Sequence, residues 1–416
     1  MSKLFGDEEE RYIPPISKPV RLIELFAGYG SQSMALRNIG ADFESYRAVE
    51  IDKYAVDSYN AVHNANIVPM DICKVHSEDF GIVDIDNYEY LMFYSFPCTS
   101  VSNVGKKEGM VEGSGTASSL LWEVKRILLE LKEDNCLPQT LIMENVEALI
   151  QRKNIMQFHL WLEFLGTLGY KSDFRVLNTQ DYGIPQSRNR VFAISFLDNN
   201  RKFKFPTPMK SELVFGDLLD SNVDEKYYLS IENANVRKLI SELLDNYGYD
   251  TLNKMSVTVD LSINSPKIVD VANCITARVD SGIQRFCKAN NGVLSVDKDK
   301  IHQIGNVIER KSKLRKNPND GRVYSVCNSA PTVLCNYTPT VLCNSALLYC
   351  ENNNDLIDLF RIRKLTPKEC LRLQGVSEQD IEKMCKVNSD TQLYKQAGNS
   401  ISVNVLEAIF RNLIRV

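Results

Sequence analysis

Short apolar runs alternate with helical periodicity through the first half of the chain. The runs VRLIELF, SYRAVE, YLMFYSF, TLIMENV and VFAISF are short and sharply bounded, as buried strands are, whereas LLWEVKRILLELK repeats its apolar positions at helical spacing. Alternation of this kind predicts an α/β fold, a doubly wound parallel sheet with helices on both faces. From about Pro206 the rhythm breaks, and Asn, Asp, Gly and Ser become frequent. Regular structure returns near residue 363, where IRKLTPKECLRLQGV reads as a helix with Thr366 as N-cap and Pro367 in its first turn. In the terminal segment Val405, Ile409 and Leu413 share one helical stripe, which has to pack against something. The expected division is an extension over 1–19, a large α/β domain over 20–205, a smaller irregular domain over 206–362, and a segment over 363–416 that returns to the large domain.

Composition narrows the class. The chain has 416 residues, 44% hydrophobic and 25% charged, enough apolar material for a large core. No apolar run approaches the roughly 20 residues of a membrane span, and MSKLFGDEEERYIPP has no apolar export core. The 11 cysteines include no CxxC pair, which fits neither a disulfide framework nor a zinc ribbon, so a cytoplasmic location and no metal are expected. A net charge of -4 argues weakly against a polyanionic partner. The basic islands Glu309–Lys316 and Arg201–Lys204 read either as solvated surface or as a phosphate-binding face. Three tandem octads (CNSAPTVL, CNYTPTVL, CNSALLYC) read as a duplicated strand-like unit; Cys327, Cys335, Cys343 and Cys350 match no common zinc spacing.

Four segments carry candidate chemistry. Phe26-Ala27-Gly28-Tyr29-Gly30-Ser31 joins the first strand to a helix, where glycines let a cofactor approach backbone and helix N–H groups. Glu50 ends the second strand, suited to ribose hydroxyls, and Asp71 follows an expected third strand, suited to an adenine amine. Together they point to an adenosine-containing cofactor; Ser33, where a dinucleotide fingerprint wants its third glycine, disfavours NAD. Taken alone, the turn also admits a purely structural reading, the lesser of the two. An expected fourth strand ends in Ser95-Phe96-Pro97-Cys98, the place where α/β sheets put reactive groups, and a loop rich in glycine (Gly105, Gly109, Gly113, Gly115) follows. Glu144-Asn145-Val146 ends the next strand, as a proton donor beside the thiol or as a helix cap. Arg188 and Arg190, two apart, read as one cationic face for a phosphate or base carbonyl, or as an exposed basic strand.

In this order the segments FAGYG with Ser31, Glu50, Asp71, PC, ENV, QSRNR, RKLTPKECLRLQGV and AGNSISVNV resemble the DNA cytosine-5 methyltransferase family. The resemblance covers nearly all of residues 20–200 and 360–416. PC with ENV discriminates it from enzymes that methylate exocyclic amines, which carry an Asp/Asn-Pro-Pro-aromatic segment in place of SFPC. Ser31 and Ser95 stand where the family usually has Gly, and Thr99 where it usually has Gln, so no role is carried over for Thr99.

The resemblance implies S-adenosylmethionine as cofactor and double-stranded DNA as substrate. Cys98 would add to C6 of a cytosine flipped out of the helix. Glu144 would bond N3 and the exocyclic amine, Arg190 the base O2, and Arg188 would position the nucleotide. Phe26, Ala27, Gly28, Gly30, Ser31, Glu50, Ile51, Asp71, Ile72 and Pro97 would form the cofactor site, closed on the methionine side by Leu120, Asn399 and Ile401. Residues 206–362 would recognise the target. It further implies a monomer without membrane attachment, working with or without a companion restriction endonuclease. An RNA (tRNA) cytosine-5 methyltransferase is the nearest competitor; those relatives carry a Cys-Phe-Thr tripeptide and a short recognition region, unlike this chain. A non-catalytic binding protein and an NAD-dependent dehydrogenase are more distant ones.

Overall fold

The structure is a computed structural model describing residues 14–97, 117–209, 211–252, 257–261, 266–277, 291–297, 302–306, 322–325, 340–343, 346–349 and 353–416. Its chain divides into two compact units, residues 1–213 with 371–416, and residues 214–370. These divisions fall somewhat later at both ends than the expected 205/206 and 362/363.

The first unit is built on β1 (Val20–Leu25), β2 (Phe43–Val49), β3 (Glu89–Tyr94), β4 (Thr140–Val146), β5 (Lys171–Asn178), the short β6 (Gln186–Ser187) and β7 (Asn189–Phe196). The six-stranded sheet runs β2-β1-β3-β4-β7-β5. β1 to β4 are parallel, whereas β7 lies antiparallel between β4 and β5. The sheet is therefore mixed rather than wholly parallel. A parallel step needs a crossover, and the connection from β5 to β7 contains no helix long enough to supply one. The strand expected before Asp71 is absent: residues 65–70 join no strand, their bonds going instead from Ile67 N–H to Asn60 Oδ1 and from Asn60 Nδ2 to Ile67 O, both at 2.9 Å, and from Met70 N–H to Glu50 O at 2.7 Å, and Pro69 removes a donor there. Pro97 consequently follows the third strand, and Glu144 lies in the fourth.

Helices α1 (Ser31–Ile39), α2 (Lys53–His63), α3 (Ser77–Phe80), α4 (Leu121–Glu133) and α5 (Ile155–Thr167) flank these strands. α4 buries Leu121, Val124, Ile127, Leu128 and Leu131, one stripe at helical spacing, in a single cluster with Met92, Tyr94, Leu141, Phe158 and Trp161. Trp161 satisfies its indole N–H on Tyr94 Oη at 3.1 Å.

The second unit holds α6 (Ala234–Tyr247), α7 (Tyr249–Leu252), β8 (Val257–Asp260), β9 (Lys267–Ile268), β10 (Ala272–Asn273), β11 (Asn291–Val296), β12 (His302–Asn306), β13 (Arg322–Ser325), β14 (Thr340–Cys343), β15 (Ala346–Tyr349), α8 (Asn353–Asp358) and β16 (Phe360–Lys364). They include two four-stranded sheets, β16-β11-β8-β9 and β12-β13-β15-β14. The expected loss of long elements is corrected by α6, whose Val236, Leu239, Ile240 and Leu243 pack with Val259, Leu294 and Ile362. Asn233 caps it, accepting from Asn235 N–H at 2.9 Å. The second and third octads supply β14 and β15, an antiparallel pair; the first octad and the ERKSKLRK island lie outside the described residues.

α9 (Pro367–Arg372) begins as expected: Thr366 Oγ1 accepts from Glu369 N–H at 3.2 Å, and Glu369 Oε2 accepts from Thr366 N–H at 2.7 Å. α10 (Glu378–Val387) packs on α2, and α11 (Asp390–Asn399) follows. The final α12 (Val403–Leu413) buries Val405, Ile409 and Leu413 and packs on α1.

Candidate active site

The carboxyl ends of β1 to β4 open onto two cavities of the first unit, about 290 Å³ and about 110 Å³. Phe26 closes β1 at φ 59°, a left-handed conformation costly for an aromatic residue. Gly28 follows at φ 57°, and a side chain built on it meets nothing within 4 Å, so its missing Cβ keeps the cavity wall bare. α1 then starts without any side-chain cap, which leaves helix N–H groups free to take an anion. Gly30 has another role. A Cβ there would come within 2.4 Å of His63 Nε2, so this glycine lets α2 approach, and it lines neither cavity.

Glu50 leaves β2 with Oε2 accepting from Gly28 N–H at 2.9 Å and Oε1 from Asp52 N–H at 2.8 Å. Each carboxylate oxygen retains a lone pair for a diol. Ile51 stands 64% exposed beside it, an apolar face at the cavity wall. Asp71 caps a 3-10 turn (Ile72–Lys74), accepting from Cys73 N–H at 3.0 Å. Phe26, Ile51, Met70 and Ile72 thus wall a space that Glu50 and Asp71 bracket with acceptors, and a nucleoside bearing two hydroxyls and an amine fits it. Leu120 and Asn399 complete the larger cavity; Ala27, Ser31 and Ile401 line the smaller one, whose rim carries Lys395 paired with Asp52 at 2.6 Å. Burial would raise the Asp52 carboxyl, but Lys395 and the Tyr54 N–H outweigh it and hold it below its ordinary range.

The far wall carries the candidate catalytic residues. Glu144, 4% exposed, receives Ser95 Oγ–H on Oε2 at 2.5 Å and faces Arg190 Nε with Oε1 at 3.1 Å. Asn145 donates to Phe96 O at 2.9 Å, tying the end of β4 to the segment leaving β3. That segment runs Ser95-Phe96-Pro97 along the larger cavity; Cys98 and the glycine-rich loop after it lie outside the described residues. Arg188 and Arg190 both line this cavity, with different surroundings. Arg188 is 2% exposed and donates to Gly398 O at 3.0 Å and Ser400 O at 2.6 Å, bracing the α11 terminus.

Sequence reasoning passed over Ser95 except as a departure, and it missed Lys395, Met70 and Arg126. Arg126 donates from α4 to Ile72 O at 3.1 Å and Val75 O at 2.8 Å, and so holds the turn that carries Asp71. Nothing in its local pattern announces this, because its partners are carbonyls some fifty positions away.

A mixed sheet of this order, with acceptors suited to a nucleoside beside a buried Glu144 paired with the partly exposed Arg190, defines a nucleoside-cofactor transferase of the Rossmann-like class. Residues 20–415 match the model of the C-5 cytosine-specific DNA methylases, and the chain belongs to that family. Relatives include the Type II methyltransferase M2.ScrFI of Lactococcus lactis subsp. cremoris, 29% identical across 95% of this chain and 99% of that protein. The orphan methyltransferase M.SPBetaI of Bacillus phage SPbeta is 28% identical across 95% and 97%. Among solved structures, the Entamoeba histolytica methyltransferase EhMeth superimposes with a TM-score of 0.58 at 16% identity, covering 95% of this chain and 98% of that one. The S. pombe Dnmt2 methyltransferase gives 0.55 at 18%, with the same coverage. At such identities these two likenesses speak for the fold alone. The chain is accordingly an enzyme of cytosine-5 methyltransferase chemistry, dependent on S-adenosylmethionine. No helix among the described residues is long and apolar enough to cross a membrane.

Proposed function

We propose that the protein methylates C5 of a cytosine flipped out of double-stranded DNA, with Cys98 as covalent nucleophile. The observation that carries this reading is the buried Glu144 held between Ser95 and Arg190 on the cavity that Pro97, the residue before Cys98, also lines. The Cys98 thiolate forms a bond to C6, which makes C5 nucleophilic; Glu144 gives a hydrogen bond to N3 as charge develops on the ring, and Arg190 bonds O2. When bound, S-adenosylmethionine supplies the methyl group as an electrophile. Loss of the C5 proton to a base and expulsion of the Cys98 sulfur restore the ring. Phe26, Glu50, Ile51 and Asp71 hold the nucleoside end, Leu120, Asn399 and Ile401 the methionine end, and Arg188 fixes the α11 terminus between them. A duplex base cannot reach so enclosed a carboxyl without leaving the stack. The family model, that of the C-5 cytosine-specific DNA methylases, supports DNA as substrate, and relatives at 28–29% identity over nearly the whole chain carry both Type II and orphan methyltransferase names.

The test is transfer of labelled methyl to unmethylated plasmid DNA and, in parallel, to tRNA. Label in plasmid cytosine is expected; label in tRNA alone would move the assignment to an RNA enzyme. Cys98→Ser should lower turnover at least about a thousandfold with cofactor binding retained. Substantial turnover in that variant would overturn the covalent route.

A further inference from the structure

Glu144 has two oxygens in unlike company. Oε1 faces the Arg190 guanidinium at 3.1 Å, and Oε2 faces the Ser95 hydroxyl at 2.5 Å. A guanidinium only donates, so it favours an ionised Oε1; a proton carried by Glu144 then belongs on Oε2, the atom beside Ser95. A hydroxyl both donates and accepts. Ser95 can therefore give its hydrogen to the carboxylate and, while no base is bound, accept one from the carboxylic acid by rotating; when a base is bound that single proton turns to N3, with no net change in the protons of Ser95. It is also the residue of this pair that borders both cavities.

We propose that Ser95 is a positioning residue of the methyl-transfer reaction, whose hydroxyl orients the Glu144 carboxyl and helps decide when that carboxyl carries its proton. This rests on the function proposed above. The other charged groups on the larger cavity are Arg188 just before β7, Arg190 within it, and Glu50 and Asp71. Lys395 and Asp52 lie on the smaller one, already paired with each other. None of these can replace a hydroxyl that works in both directions. Arg190 and Arg188 only donate, and the carboxylates hold backbone N–H groups. A purely structural Ser95, present only to satisfy a buried carboxylate, would instead show itself in stability.

The sign follows from bond strength. The bond to the ionised carboxylate is the stronger, so removing the hydroxyl favours the protonated form. Ser95→Ala should lower kcat on plasmid DNA by about tenfold and leave KM for DNA and for cofactor within about twofold. The alkaline limb of its pH–rate profile should move upward by about half a pH unit or more. Ser95→Thr, which keeps the hydroxyl, should keep the limb of the unmodified enzyme. Release of the C5 hydrogen of target cytosine to solvent, followed without cofactor, should show the same displaced limb. A Ser95→Ala profile superimposable on that of the unmodified enzyme, or a loss confined to KM, would overturn the proposal. If Ser95→Ala does not fold, Ser95→Gly carries the same expectations. An unmodified enzyme that labels no DNA cytosine would instead sink the proposed function.

Discussion

Glu24 sits inside β1, fully buried, where a sheet core ordinarily places an aliphatic side chain. Its Oε2 gathers three hydroxyls, from Tyr59 at 2.6 Å, Ser33 at 2.9 Å and Ser45 at 3.4 Å, but burial outweighs them and pushes the carboxyl up to about 7. A carboxyl raised in the folded state contributes stability below its unfolded value near 4.5, and that contribution is lost as pH rises through about 7. Glu24→Gln should abolish this dependence. Urea melts at pH 5 and pH 8 check it; equal pH slopes for the two proteins would refute it. The neighbouring His63 is driven the other way, down to about 4, chiefly by burial, so it stays neutral where its ring meets Tyr59 and its Nε2 lies 3.0 Å from Tyr29 O. Gly30→Ala would thrust a methyl into that ring at φ 80° and should cost at least about 2 kcal/mol.

At the scale of elements, α4 works on two faces. Its inner stripe fills the core, and Arg126 on the other side ties the Asp71 turn in place while pairing with Glu123 at 2.8 Å and Glu130 at 2.7 Å. The turn is too short to hold its own geometry, with three residues in a 3-10 coil. Arg126→Ala should therefore raise the dissociation constant for S-adenosylmethionine by about threefold to tenfold, with kcat at saturating cofactor nearly unchanged. Calorimetry and steady-state rates together separate the two effects. α12 is the other dependent element. Its apolar stripe matters only because α1 is there to receive it, and Ile409→Ala should cost about 2–4 kcal/mol in denaturant melts.

For the whole molecule, the family motifs crowd into residues 20–200 and 360–416, and the 206–362 segment lies almost wholly in its own compact unit or in undescribed residues. Chemistry and target choice are proposed to divide along that line. Exchanging residues 206–362 for those of a relative with a different site should redirect methylation, read by mapping methylated cytosines. An active chimera that keeps the original site would place recognition elsewhere. Replacing Lys311, Lys313, Arg315 and Lys316 with Ala should weaken DNA binding about equally for all sequences and flatten its salt dependence, as loss of phosphate contacts does. The net charge of -4 makes such local islands the natural place for phosphate affinity.

Strands β1, β2, β3, β4 and β7, the capping of α9 and the apolar stripe of α12 were legible locally, because each depends on neighbours within a turn or a strand, whereas β5 was not foreseen and the strand expected before Asp71 does not form. The placing of Phe26, Gly28, Glu50 and Glu144 at or just after strand ends was local too, whereas Asp71 stands at a 3-10 turn with no strand before it; all five line the larger cavity. The amphipathic α6 was equally local and was passed over beneath the polar residues around it. Other features depended on distance. The reversal of β7 follows from which strand edge was left to pair, and Gly30 from the approach of His63 rather than from a cofactor. The different surroundings of Arg188 and Arg190 follow from carbonyls of α11 more than two hundred positions away. Ser95 showed in the sequence only as an unusual residue; its hydroxyl gained a partner when β3 and β4 came to lie side by side and brought Glu144 within 2.5 Å. Periodicity reports which face a residue takes, but hydrogen bonds between side chains depend on which faces meet, and only the assembled sheet decides that.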